Sequence, residues 1–286
     1  MTTALIHFGL AKTATTYLQK TVFPQARGVN YLGKPFRTPA KALMQSLRQR
    51  HALAPLDRFL KDEPALRSDA RKDFTRLKRQ LRRALSGDAL NIWSHEGFLR
   101  PTRDGASFRR PLALANLRRV FEAAGSEQVH ALLILRETRP LMASYARQFL
   151  HELTARGLAD APPEALYAAR DAVGGDEGAA ARLWDLWYSY FDFTALMADL
   201  EAAFGAEHVH VLNYDRLAQD WTVLRAIVSE IHPAAWLDFP DVRVNDSREK
   251  TAAISPPLLR HLEMLDALDL ARLYPGNTQH LERAAQ

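Results

Sequence analysis

The chain has 286 residues, of which 47% are hydrophobic and 25% charged, and a net charge of +5. That composition is globular and excludes a disordered or fibrous chain. There is no cysteine, which excludes disulfides, thiolate metal sites and a cysteine nucleophile, and fits a reducing compartment.

Residues 4–8 read as a buried strand, 9–12 as a turn and about 14–22 as a helix ended by Pro24. The same N-terminal residues lack the basic start and long apolar run of a signal peptide. No stretch of the chain approaches the ~20 apolar residues that span a bilayer. The expectation is a soluble, cytoplasmic protein. Residues 29–32 form a short strand. Residues 39–60 and 67–85 read as helices, and in the second Phe74, Leu77, Leu81 and Leu85 make one apolar face. Between Arg67 and Ser86 eight basic residues stand against Asp69 and Asp73, so this segment alone is +6 and the rest is near neutral. A whole-chain charge argument for nucleic acid therefore fails.

A third strand covers 89–94, stopped by Gly97. A helix over 109–124 is closed by Gly125. Residues 129–135 are a continuous apolar run suited to the middle of a parallel sheet. A helix follows over 139–153, with Pro140 in its first turn. Gly174 and Gly175 mark a loop, and a long helix runs from about 178 to 204, closed by Gly205. The last elements are a strand at 209–213 and helices at about 220–231 and 255–273. Strands alternating with helices predict a three-layer α/β/α fold around a central parallel sheet. No linker divides the chain, so residues 1–286 read as one domain. It has a helical insertion at about 37–86 and a C-terminal helical segment at about 250–286.

The first strand runs into Gly9-Leu-Ala-Lys12-Thr13-Ala14-Thr15-Thr16-Tyr17 and then a helix. A strand–turn–helix junction presents free N–H groups, and here a lysine and three hydroxyls join them. This is an anion cradle suited to phosphate or sulfate. It is not a Walker A loop, because the lysine follows Gly9 by only three residues. Arg136 stands just past the strand 129–135, where parallel sheets bind ligands, and Ser144 lies eight residues on. Read separately, each segment also has a plain alternative: a threonine-rich helix start, and an arginine paired with Glu137 or Asp215.

Taken together, Lys12-Thr-Ala-Thr-Thr after the first strand and Arg136 with Ser144 after a middle strand resemble the PAPS-dependent sulfotransferase superfamily, in its bacterial and Golgi-type branch. Ser94-His95-Glu96 is similar to that branch's Ser-x-Glu. The run from Val211 through Tyr214 and Asp215 to Leu217 is similar to its Val-x-x-Tyr-Glu/Asp-x-Leu, and Val242-Arg243-Val-Asn245-Asp-Ser247 to its C-terminal nucleotide segment. The resemblance implies a P-loop-like sulfotransferase fold with helical insertions. It implies sulfuryl transfer from PAPS to a hydroxyl or amine, leaving PAP, without a metal. It gives Lys12 the bridging oxygen, and Thr13, Ala14, Thr15 and Thr16 the 5′-phosphate. Tyr17 takes the place of an aromatic that stacks on adenine. Arg136 and Ser144 hold the 3′-phosphate, with Arg243 as a further basic candidate. Ala14 departs from the glycine that many members carry, and the dimerisation sequence of cytosolic members is absent, which leaves oligomeric state open.

Glu96 is the expected base from the family pattern; His95 is the rival, its unperturbed pKa near ~6.5 being better matched to the task. Neighbours on a strand face opposite ways, so one of the two faces the acceptor. The basic segment 67–86 is either a solvated face or a guide for an anionic acceptor such as a glycan or lipid head group. Trp184, Trp187, Tyr188 and Phe191 are a helix face packed on the sheet or the lining of an acceptor pocket. His208 and His210 alternate on a strand, but a zinc site there lacks a third ligand. A nucleotide kinase, a non-catalytic nucleotide-binding scaffold and, weakest, a nucleic-acid module are the competing readings.

Overall fold

In the computed structural model, residues 1–10, 13–33, 70–96, 98–99, 110–155, 162–171, 189–240 and 255–285 are described. Five apolar runs form strands: β1 (Thr3–Gly9), β2 (Val29–Tyr31), β3 (Leu90–Glu96), β4 (Gln128–Leu135) and β5 (Val209–Asn213). They make one sheet in the order β2-β3-β1-β4-β5, every pair parallel. All seven residues of β1 are buried, as expected of a central strand covered on both faces.

The helices are α1 (Thr15–Tyr17), α2 (Ala70–Ala84), α3 (Arg110–Ala124), α4 (Thr138–Ala155), α5 (Pro163–Asp171) and α6 (Phe193–Phe204). They continue with α7 (Tyr214–Leu217), α8 (Thr222–Ile231), α9 (Pro256–Ala267), α10 (Leu270–Leu273) and α11 (Asn277–Arg283). Strand alternation sends side chains to two cores. Ile6, Phe8, Trp93, Leu133 and Leu135 pack with α2, α3, α4 and α6. Leu5, Ile92, Leu132, Ile134 and Leu212 pack with Leu18, Val22 and Phe23 of the first helical run and with α7 and α8. The fold is a three-layer α/β/α sandwich. Among the described residues no helix is long and apolar enough to cross a membrane.

Four boundaries differ from the sequence reading. Pro24 does not end the first helical run. After α1 the chain makes a π turn (Leu18–Val22) and a 3₁₀ turn (Phe23–Gln25), and only Ala26 is extended. Pro24 sits early in that last turn, where its missing N–H leaves no bond unmade. Of the helix expected over 178–204, residues 178–188 lie outside the described residues, and in the remainder Asp192 is extended and its side chain accepts from the Ala195 N–H, so that α6 starts only at Phe193. Asp269 does the same between α9 and α10, accepting from Arg272 N–H. β3 continues through Glu96, so His95 and Glu96 belong to the strand and do not follow it. Of the proposed insertion 37–86, residues 37–69 lie outside the described residues.

Candidate functional site

The carboxyl edge of the sheet gathers the segments of interest. Gly9 is level with Glu96 on one side and with Ile134 on the other. The loop after β1, the end of β3 and the turn holding Arg136 thus leave the sheet side by side. Lys12 and Arg243 lie outside the described residues, as does the side chain of Glu96.

The loop after β1 folds back on itself. Thr13 and Thr15 are buried, and both hydroxyls donate to the Leu10 carbonyl, at 2.8 and 3.3 Å. Both hydroxyl protons are thus spent on the Leu10 carbonyl, so Thr13 and Thr15 shape the turn. The half-exposed Thr16 is the hydroxyl of the three not used this way. Ala14 has φ 57° and ψ 12°, and is the one non-glycine residue with positive φ among those described. That left-handed residue turns the chain from strand into helix, and it explains why glycine suits the position. The packing is close: a Cβ on Gly9 would lie 2.2 Å from the Thr15 hydroxyl.

Tyr17 stands on the first turn after the loop. Its hydroxyl donates to the Pro240 carbonyl at 2.9 Å, and its ring lies 5.3 Å from Trp221, which in turn stacks on Phe239. Trp221 and Phe239 extend the aromatic ledge that Tyr17 begins. The sequence had no signal for them, since both are far from Tyr17 along the chain.

On the other side, Arg136 is half-buried with its guanidinium 5.0 Å over the ring of Tyr214. The side chain of Asn213 caps α7 by accepting from the N–H of Asp215 and Arg216, so the turn that presents Tyr214 is fixed. Asp215 is exposed. Ser144 is half-buried in the second turn of α4. A cavity of about 760 Å³ opens beside them, lined in part by Glu137, Asp215 and Glu282. Arg139, also on its wall, is already paired with Asp266. Those carboxylates repel a polyphosphate, so the cavity is not itself an anion site.

No family model matches the chain, and no curated protein does. Among solved structures, a sulfotransferase from Alicyclobacillus acidocaldarius resembles it. The TM-score is 0.46 at 14% identity, over 94% of this chain and 97% of that one. So distant a likeness assigns neither donor nor acceptor.

At the end of β3, His95 is half-buried and packs 5.4 Å from Trp93 and 6.1 Å from Phe98. It thus lies on the α2–α3 face. Ser94 points to the opposite face, where the first helical run packs. The apolar face of α2 is as expected: Leu77 and Leu81 are buried, and the ring of Phe74 lies 5.1 Å under Arg119. Arg76, Lys78, Arg79, Arg82 and Arg83 are exposed. The carboxyl end of α2 meets the beginning of β3, where Asn30 donates to Ala84 and to Asn91. Arg82 and Arg83 therefore lie at the edge of the sheet away from the loop.

That far edge also holds a histidine cluster. His130 supplies the third imidazole beside His208 and His210, its Nδ1 being 3.1 Å from His210 Nε2. Among the described residues no three such groups are arranged to hold a metal. Of the aromatic stripe, Trp184, Trp187 and Tyr188 lie outside the described residues, and Phe191 is buried in the core.

Proposed function

We propose that this chain transfers a sulfuryl group from PAPS to a hydroxyl, or to an amine, of an acceptor and releases PAP. The observation that carries the reading is the pairing of β1 with β4, with Gly9 level with Ile134. The strands that lead into the Thr13–Thr16 turn and into Arg136, two residues beyond Ile134, are thus neighbours, which supports one nucleotide with phosphates on both sides of its ribose bridging the two. The tight turn at Ala14 and the spent hydroxyls of Thr13 and Thr15 suit a cradle of main-chain N–H groups. The donor supplies an activated sulfuryl group. The acceptor's oxygen or nitrogen bonds to sulfur, the bond from sulfur to the phosphate's bridging oxygen breaks, and the acceptor's proton goes to a base.

In this reading the N–H groups of Ala14, Thr15 and Thr16, with the Thr16 hydroxyl, hold the 5′-phosphate. Lys12 neutralises charge on the bridging oxygen as it leaves. Arg136, backed by Tyr214, and Ser144 hold the 3′-phosphate. Glu96 takes the acceptor's proton, with His95 as the rival. The acceptor is anionic or glycan-like and approaches along the exposed Arg76, Lys78 and Arg79 of α2.

The test is ligand-dependent melting in excess EDTA, followed by an acceptor screen with labelled PAPS. PAP raises the melting temperature without a metal, and AMP, which lacks the 3′-phosphate, does so less. Lys12→Ala slows transfer more than it weakens PAP binding, because the bridging charge is greatest in the transition state. Equal shifts from AMP and PAP, or a shift only from ATP with Mg²⁺, overturn the assignment.

A further inference from the structure

Beneath the loop, three polar side chains meet where the sheet's core is otherwise apolar. His7 is fully buried in the middle of β1, and Ser94 on β3 and Gln19 in the first helical run are 1% and 3% exposed. The Ser94 Oγ is 2.7 Å from His7 Nδ1, and Gln19 Nε2 donates to the same Oγ at 3.0 Å. Around them are Phe23, edge-on to the imidazole at 5.5 Å, and the leucines and isoleucines of that core.

These contacts converge on one oxygen. Ser94 Oγ accepts from Gln19, and which way the proton lies between Ser94 Oγ and His7 Nδ1 follows from the imidazole tautomer. His7 Nε2 has no hydrogen-bonding partner among the described residues in either tautomer. Burial pushes the His7 pKa down to about 3, so the ring is neutral at any physiological pH. Replacing a buried polar trio with one orphan nitrogen by apolar side chains of the same size is often neutral or stabilising. What the trio provides is direction, since hydrogen bonds hold one distance and angle where apolar packing tolerates many.

The trio's position shows what is being held. The backbone ladder already sets His7 opposite Ser94. It does not set how the helix after the loop lies on the sheet. Gln19 sits in the π turn Leu18–Val22, a local insertion frequent at functional sites. His7 is two residues before Gly9, where the loop begins, and Gln19 is four residues after Thr15, where it ends. Ser94 is two residues before the end of β3. One hydroxyl thus joins both stems of the loop to the strand beside it.

We propose that His7, Ser94 and Gln19 are positioning residues that lock the loop after β1 against the carboxyl end of β3, and so set donor against acceptor. This rests on the reading of the loop as the donor site. The trio does not touch either substrate.

The decisive variant is the all-apolar His7→Leu/Ser94→Ala/Gln19→Leu, with Ser94→Ala alone as the smaller change. Stability by urea unfolding is expected to hold or rise in the triple variant. Amide exchange at Leu18 and Phe23, whose N–H groups bond back to the Ala14 and Leu18 carbonyls, is expected to quicken about tenfold in both variants while β4 is unchanged. In the transfer assay kcat falls about tenfold or more, with PAP affinity changed less than about twofold. Exchange at Leu18 and Phe23 equal to wild type overturns the lock, whatever reaction the chain performs. A wild-type kcat in the triple variant, or parallel loss of PAP affinity and kcat, overturns its positioning role. If the wild type itself ignores PAP, the donor reading has failed, and the exchange rates still decide whether the trio locks the loop. Ser94→Ala guards against misfolding of the triple variant, since it removes a single oxygen.

Discussion

Ala14 is a residue in the wrong conformation for its side chain. A left-handed alanine carries roughly 1 kcal/mol of strain that glycine lacks, whereas glycine elsewhere destabilises by a similar amount through chain entropy. Ala14→Gly is therefore expected to leave stability unchanged or to raise it by up to about 1 kcal/mol, read from the urea midpoint. Gly9→Ala is the opposite case: its Cβ would collide with Thr15, so the loop must move and PAP binding is expected to fall about tenfold or more. The base is tested by a pair of variants. Glu96→Gln keeps shape and removes basicity, and is expected to cut turnover about 10²-fold with PAP binding intact. His95→Asn, on the face of Trp93 and Phe98, is expected to do much less. The reverse result would assign the proton to His95. Spacing made the loop legible at this scale, because Lys12, Thr13, Thr15 and Thr16 are neighbours in the chain. The use of two hydroxyls within the turn was not legible, since it depends on the Leu10 carbonyl folding back over them.

At the scale of elements, β4 and α4 together present Arg136 and Ser144. A charge-assisted hydrogen bond from Arg136 is worth about 1.5–3 kcal/mol, roughly ten- to a hundred-fold in affinity. Arg136→Ala is expected to remove most of the preference for PAP over AMP in a titration. If Arg136→Ala/Ser144→Ala still discriminates, another basic residue such as Arg243 holds that phosphate. Strands were readable because each is a short apolar run, and 129–135 needed no periodicity at all. Helices were readable by their apolar faces, as in Phe74, Leu77 and Leu81. Breaks were not. Asp192 and Asp269 are ordinary polar residues until each accepts a bond from an N–H three residues on. α11 was missed because Asn277–Arg283 is mostly polar. Its place is set by Asn277, buried and bonded to Thr138, Phe191 and Phe193, partners more than 80 residues away.

For the whole molecule, buried imidazoles predict a loss of stability in acid. Burial lowers the pKa of His7 to about 3, and burial with the neighbouring His210 and His208 lowers that of His130 to about 4. His210 is also lowered by burial, against the opposing charge of Glu230. In the unfolded chain each titrates near ~6.5, so between these values the unfolded state binds more protons. The stability these neutral rings contribute is therefore expected in full above about pH 6.5 and is expected to decline as the pH falls toward 4 and below. Urea midpoints are expected to drop between pH 7 and pH 5, and His130→Asn to flatten that slope. A midpoint unchanged over this range would mean that these imidazoles are not buried neutral. Such contacts were invisible in the sequence: His130 stands 80 positions from His210, and only the pairing of β4 with β5 brings them together.

The sheet order has a consequence for synthesis. β1 is made first and ends in the centre, yet Ala4 pairs with Asn91 and Val129. Its two neighbours leave the ribosome only 87 and 125 residues later. Until then Thr-Ala-Leu-Ile-His-Phe-Gly presents two open edges and two apolar faces, the combination that invites strand pairing between chains. Ribosome-bound chains halted before residue 135 are expected to be cut readily by protease within residues 3–9 and to bind a holdase chaperone. Chains halted well beyond residue 213 are expected to lose both properties.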